Sequence, residues 1–380
     1  MILDEQTIQQ LVVQNTTPLM VLDCAQVIEQ YQLLQQALPS VDFFFAVKAL
    51  PHPALVNTLN QQGLGFDIAS QGEIELLRAQ YINPRCSIHT HPIKKDEDIK
   101  AALRFGCTTF VVDNADELHK FVAYRNRVGL LLRLSFRNSD AQVDLSKKFG
   151  CRPDDAMHLL LEAKRLGIHV KGLSFHVGSQ CRSADMHVYA IHQCHKIMTE
   201  YHRQSDSLLS IIDIGGGFPV NYDGQTQDIA HFCHPIREAI SQLPAELEII
   251  AEPGRYLVAP AAIAVSSVVG KANREGRPWY YLDDGVYGVY SGRIFDHVHY
   301  PIKALKQGPL FPSVLAGPTC DSIDVIEEAI DLPCLDIGDL VVGEMIGAYS
   351  TATATRFNSL VATTIVTLNA PEQIPVSYIA

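Results

Sequence analysis

At 380 residues the chain exceeds one ordinary hydrophobic core, so two domains are expected. Its 42 acidic and 30 basic side chains give a formal charge of −12, which excludes a phosphate-neutralising basic face and with it a nucleic-acid partner. Hydrophobic residues make up 47% and no low-complexity tract appears, so the chain is globular.

The N-terminus, Met1-Ile2-Leu3-Asp4-Glu5, is acidic where a signal peptide needs basic residues. The longest mostly apolar run, residues 257–269, is too short to span a bilayer and contains Pro260. Nine scattered cysteines without CxxC pairs fit reduced thiols. Together these features predict a soluble, cytoplasmic protein that does not associate with membranes.

A short polar helical pattern opens the chain, and Pro18-Leu19-Met20-Val21-Leu22-Asp23 reads as a strand. Next comes Phe43-Phe44-Phe45-Ala46-Val47-Lys48, a buried strand ending in one ammonium and stopped by Pro51 and Pro53. A lysine so delivered is desolvated, which lowers its pKa and suits it to form a Schiff base. Snorkelling to solvent is the plain alternative.

Apolar strand-like runs then recur at residues 65–69, 86–90, 109–112, 129–134, 170–176, 209–214 and 247–251. Helical patterns at 72–80, 94–105, 115–125, 153–167, 184–202 and 229–242 separate them. With 43–47 this makes eight strands alternating with helices, which predicts a (β/α)8 TIM barrel. Lys48, Asp67, His91, Asp113, Arg133, His176, the glycines 215–217 and Glu252 fall at or just past strand ends, the face on which such barrels build sites. After Gly254, Val-, Ile- and Thr-rich runs at 258–269, 278–282, 314–317, 340–345 and 359–367 predict an antiparallel β-barrel or sandwich domain, which the strand at 18–23 joins. The expected division is residues 25–253 for the (β/α)8 barrel, with 1–24 and 254–380 forming the β domain.

Four motifs carry chemistry. Asp213-Ile-Gly-Gly-Gly-Phe-Pro219 follows a strand, and its glycines let backbone N–H groups converge on a phosphate, where a plain turn needs fewer. Glu252 in Glu252-Pro253-Gly254-Arg255 can keep the ring nitrogen of pyridoxal phosphate protonated, or else form a structural salt bridge. His176 in Phe175-His176-Val177-Gly178-Ser179 can stack on a planar cofactor, with Ser179 in reach of its phosphate, or else be a core histidine. Cys320 in Gly317-Pro318-Thr319-Cys320-Asp321 sits in a turn that suits a reactive thiol, against a packed one. Gly347-Ala348-Tyr349 and Phe357-Asn358 follow another turn and could line the same cleft. His187, His192 and His195 share a predicted helix without carboxylate partners, so no metal site is expected.

These motifs, with Ala46-Val47-Lys48, Phe66-Asp67-Ile68-Ala69-Ser70 and Asp284-Gly285-Val286-Tyr287-Gly288, resemble the eukaryotic-type ornithine/lysine decarboxylases, pyridoxal-phosphate enzymes of the alanine-racemase-like fold class. The resemblance runs from about residue 18 to 370. It implies pyridoxal 5'-phosphate held by Lys48, supported by Asp67 and Arg133, with His176 stacked on its ring and Glu252 at the pyridine nitrogen. Ser179, Gly217, Arg255 and Tyr349 would hold the phosphate, with Gly215 and Gly216 shaping the loop. Cys320 would protonate the α-carbon after carbon dioxide leaves, Asp296 and Asp321 would bind the distal ammonium of ornithine or lysine, and Phe357 would line the substrate cleft.

The family forms homodimers with shared active sites, which implies that Cys320 and Asp321 act in the partner's site and that Lys148 and Asp324 pair across the interface. Two departures stand out. Thr90-His91-Pro92 replaces the family's Ala-Asn-Pro, and Arg293 puts a charge where the eukaryotic enzymes are neutral. Arg293 keeps a diaminopimelate-like or carboxy-polyamine substrate in play. A racemase on the same fold and a non-catalytic decarboxylase-like binding protein are the other rivals.

Overall fold

The computed structural model describes residues 3–138, 141–143, 147–223 and 228–372. The chain divides into two compact units. One takes in Gln30–Pro219 and Gln227–Tyr256; the other takes in Met1–Glu29, Val220–Thr226 and Leu257–Ala380.

In the first unit, eight strands close into a barrel among the described residues: Val41–Ala46, Gly65–Ile68, Ser87–His89, Thr109–Val112, Gly129–Leu134, Val170–Phe175, Ile211–Asp213 and Glu248–Ala251. Every neighbouring pair is parallel, the last strand pairing back to the first. Parallel neighbours need a crossover, and helices such as Pro53–Gln61, Gln71–Ala79, Asp96–Phe105 and Asp185–Ser205 supply it. The helix Asp96–Phe105 shows why the segments stop where they do. The Asp98 carboxylate reaches back to the Lys95 N–H, and Gly106, at φ +110°, closes the far end in a conformation that glycine favours. Inside the barrel Ile88, Val111, Leu131, Ile211 and Ile250 pack together with Phe44, each buried side chain contributing about 2 kcal/mol relative to exposure.

The second unit is built on the strand Ala262–Arg274, which pairs antiparallel with Leu19–Asp23, Arg277–Leu282 and Leu340–Gly343. Two pairings are parallel, Leu19–Asp23 with Thr364–Leu368 and Arg277–Leu282 with Leu310–Ala316, so the sheet is mixed. Ile8, Leu19, Val21, Ile263, Val265 and Val342 form its core. Two further strands, Ile302–Ala304 and Val325–Pro333, go beyond the sequence expectation. The second carries Glu327, Glu328 and Asp331, which break the apolar pattern by which strands are recognised. Conversely, the helix expected at 115–125 is an α-helix only over Ala115–Lys120 and continues as a 3-10 turn, Phe121–Tyr124. Among the described residues no helix is long and apolar enough to cross a membrane.

Candidate active site

The strand Val41–Ala46 ends before Lys48, which rides on a short 3-10 turn, Val47–Ala49. That turn lifts its side chain to the barrel rim, where it is 42% exposed, so the burial expected from sequence is absent. An anion positions it instead. Lys48 Nζ lies 2.8 Å from Asp67 Oδ2, whose side chain is 1% exposed. The other Asp67 oxygen accepts the Thr90 hydroxyl. Thr90 N–H donates to the Ile68 carbonyl at 3.1 Å, and in the segment that follows the buried Lys94 Nζ donates to the carbonyls of His91 at 2.8 Å, Pro92 at 2.9 Å and Val111 at 2.5 Å.

At the same end of the barrel, Glu252 directly follows the strand Glu248–Ala251 and is 9% exposed. Its carboxyl faces that of Asp213, within hydrogen-bonding reach. Burial, then the charge of Asp213, pushes Glu252 well above the usual carboxylate range, and burial pushes Asp213 up to about 6. Two buried carboxyls this close disfavour being ionised together. His176 follows the strand Val170–Phe175, and its Nδ1 accepts the Gly178 N–H at 3.1 Å. Burial, then the Arg133 and Lys48 charges, hold its imidazole well below the usual histidine range, which makes it a neutral ring. Arg133, on the strand Gly129–Leu134, lays its guanidinium over the Phe149 ring at 5.5 Å.

The glycine loop has an ordered polarity. Glu252 N–H donates to the Gly215 carbonyl at 2.8 Å and Cys181 N–H to the Gly217 carbonyl at 3.2 Å. His187 Nε2 binds the Gly216 carbonyl at 3.0 Å. The Gly216 and Gly217 N–H groups bond no acceptor among the described residues. A side chain could not replace the glycines, since a Cβ at Gly217, where φ is +97°, would lie 2.7 Å from the Gly178 carbonyl. Ser179 Oγ accepts from Arg255 Nε at 3.3 Å. Backbone donors turned one way, with a serine hydroxyl and a buried arginine in the same unit, are the donor set that a phosphate monoester requires.

The remaining predicted residues belong to the other unit. Its loop 317–324 winds around Asp324, which is 3% exposed and accepts the N–H groups of Val286 and Thr319, both at 2.9 Å. A Cβ at Gly285 or Gly317 would strike that carboxylate, at 2.3 and 2.1 Å. The carboxylate meant to pair with Lys148 is therefore already engaged inside its own loop. Wound this way, the loop leaves Cys320 exposed, its N–H donating to Asn358 Oδ1 at 3.0 Å. Tyr287 donates to Asp321 Oδ2 at 2.6 Å, which lowers the aspartate's pKa, and its ring stacks on Phe357 with centroids 4.7 Å apart. A cavity of about 240 Å³ opens beside this group, walled in part by Tyr287, Thr319, Phe357 and Leu360.

Asp296 ends the helical turn Gly292–Phe295, its N–H donating to the Gly292 carbonyl at 3.0 Å. Tyr349 is partly buried at φ +55°, and the Ser291 hydroxyl donates to its carbonyl at 3.1 Å. Arg293 turns to Glu327 at 3.5 Å and donates to the Val298 carbonyl at 3.2 Å; its side chain is 17% exposed.

Sequence reasoning gave no role to Thr90, His187, Asp213 or Tyr287. Asp213, Tyr287 and Thr90 each stood inside a quoted stretch, but without a role of their own. Thr90, His187 and Tyr287 are found through partners 23, 29 and 34 positions away, which no local pattern encodes.

Comparison with known proteins places these features in context. The family model described as "Pyridoxal-dependent decarboxylase, pyridoxal binding domain" matches residues 24–259. The lysine/ornithine decarboxylase of Selenomonas ruminantium is 36% identical over 97% of this chain and 94% of that protein. Antizyme inhibitor 2 of Xenopus laevis is 35% identical over 89% of this chain and 78% of that protein. Among solved structures, the lysine/ornithine decarboxylase of Vibrio vulnificus complexed with putrescine is 49% identical, with a TM-score of 0.93 over 97% of this chain and all of that one.

Proposed function

This chain belongs to the pyridoxal-dependent decarboxylases, and from that premise we propose that it removes carbon dioxide from L-ornithine and L-lysine to leave putrescine and cadaverine. The observation that carries the chemistry is the buried Glu252–Asp213 carboxyl pair, in the same unit as a lysine–aspartate pair and an outward-turned glycine loop. An amino-acid racemase of this class pairs the ring nitrogen with arginine; the carboxyl of Glu252 in that role would favour decarboxylation instead.

Bound in this site, pyridoxal phosphate would supply the electron sink that decarboxylation needs. Lys48 would hold the cofactor through its Nζ, and Asp67, at 2.8 Å, would balance the charge on that nitrogen. The glycine loop, Ser179 and Arg255 would hold the phosphate. Neutral His176 would stack on the ring, and Arg133 would support that region. Glu252, backed by Asp213, would keep the ring nitrogen protonated. The exposed Cys320 thiol returns a proton to the α-carbon.

We assign Cys320 and Asp321 to the site of a second copy of the chain, the partner in a homodimer. Ile323, Phe357, Leu360 and Val361 leave 40–86% of their surface exposed near that loop, apolar area that a second copy would cover. Exposed reduced thiols of this kind suit a cytoplasmic enzyme.

Release of carbon dioxide from ornithine, lysine, arginine and meso-diaminopimelate tests the reading. Ornithine and lysine should both turn over, separated by about 1–3 kcal/mol, the discrimination that one methylene permits. Turnover of none of the four, with no visible absorption band, would instead favour a binding protein like the antizyme inhibitor relative.

The distal pocket gives a sharper test. A diacid substrate would need Arg293, but that guanidinium is committed to Glu327. Asp296→Asn should therefore lower kcat/KM for ornithine or lysine by about 2–5 kcal/mol, because the substrate ammonium loses a charged partner. Arg293→Ala should cost less on these substrates. The opposite order, with gain on meso-diaminopimelate, would move the substrate class to diacids.

A further inference from the structure

The helix Asp185–Ser205 carries one residue that its packing does not explain. His187 is fully buried in a box of phenylalanines. Its ring stacks on Phe218 with centroids 5.9 Å apart and planes 27° from parallel, and is edge-on to Phe232 at 5.9 Å and to Phe175 at 6.4 Å. A fourth phenylalanine would suit such surroundings. The imidazole instead brings a buried Nδ1 that has no hydrogen-bond partner, an arrangement that proteins avoid unless the other nitrogen has a task. Nε2 has one, the Gly216 carbonyl at 3.0 Å.

A carbonyl only accepts, so Nε2 carries the hydrogen and the ring is the neutral Nε2–H tautomer. Burial pushes the imidazole down to about 4, so it keeps that form near neutral pH. In a trans peptide the C=O of one residue and the N–H of the next point in opposite directions. Glu252 N–H, holding the Gly215 carbonyl, therefore turns the Gly216 N–H the other way. His187, holding the Gly216 carbonyl, does the same for the Gly217 N–H. Glycine peptides lack the Cβ that would resist a flip, so the orientation has to come from outside the loop.

We propose that His187 is a positioning residue for the phosphate loop: its Nε2–H pins the Gly216 carbonyl and so keeps the Gly217 N–H turned outward to receive an anion. The proposal rests on the reading that Gly216 and Gly217 take the cofactor phosphate.

Apo-protein titrated with pyridoxal 5'-phosphate and with pyridoxal, which has the aldehyde but no phosphate, tests both. His187→Phe keeps the aromatic box and removes the donor. We expect its Kd for pyridoxal phosphate to rise about 10-fold, its Kd for pyridoxal to stay unchanged, and His187→Gln, which returns an N–H, to recover much of the difference. Equal weakening towards both ligands would make His187 a packing residue and overturn the proposal; so would no weakening. If the wild type itself bound both ligands alike, the phosphate reading would fail first.

Should His187→Phe not fold, nitrogen NMR of histidine-labelled wild type still decides. An Nε2–H resonance of His187 that moves on adding pyridoxal phosphate, and not on adding pyridoxal, supports the assignment. An Nδ1–H tautomer, or a resonance that does not respond, overturns it.

Discussion

Lys48→Ala should abolish the borohydride-reducible yellow chromophore and lower kcat/KM for ornithine by about 10³-fold or more. The reason lies in the pair that Lys48 forms. Asp67 is 1% exposed, and its charge is met by Lys48 Nζ at 2.8 Å and the Thr90 hydroxyl. Alanine removes both the covalent anchor and the only cation in that pair. Judged by pKa alone, the competitor is Lys94, which is 2% exposed and pushed down to about 7 by burial. Yet its Nζ is closed in by three carbonyls and lies 5.5 Å over the Phe121 ring, with no open approach for an aldehyde. Access decides over basicity here. Reduction followed by peptide mapping should label Lys48 in the wild type and no lysine in the variant. A label on Lys94 in either protein would overturn the assignment.

Much of this architecture is legible in the sequence, because a (β/α)8 barrel repeats one local pattern. Each strand from Val41–Ala46 to Glu248–Ala251 is an apolar run flanked by a helix of different period, and the polar residue ending it is visible at once. Glu252 and the glycine loop are legible for the same reason.

The environment of Lys48 is not. Its six-residue motif reads as one continuous strand, but the chain tightens into a 3-10 turn at Val47, and the lysine emerges on the rim rather than inside. The strand Val325–Pro333 hides because Glu327 is buried against Arg293 and His299, a cost visible only when all three are brought together. Arg293 misleads for the same reason. As sequence it is an unexplained cation beside a substrate residue; in the fold it has a carboxylate of its own.

Cys320→Ala should leave the cofactor bound but nearly abolish release of the amine product, since Cys320 carries the one thiol among the described residues of its loop. Cys320 and Lys48 lie in different units of the chain. If the thiol serves the partner's site, the two single variants have complementary defects. Mixed and allowed to exchange subunits, half the dimers formed at random carry one of each. Every such dimer has one site lacking both residues and one lacking neither. The mixture should therefore recover at most roughly a quarter of wild-type activity, from two inactive starting proteins. The recovery should rise with exchange time and vanish when exchange is blocked by cross-linking each variant beforehand. Exchange demonstrated by mass, without any return of activity, would put Lys48 and Cys320 in the site of a single chain and remove the reason for a shared one.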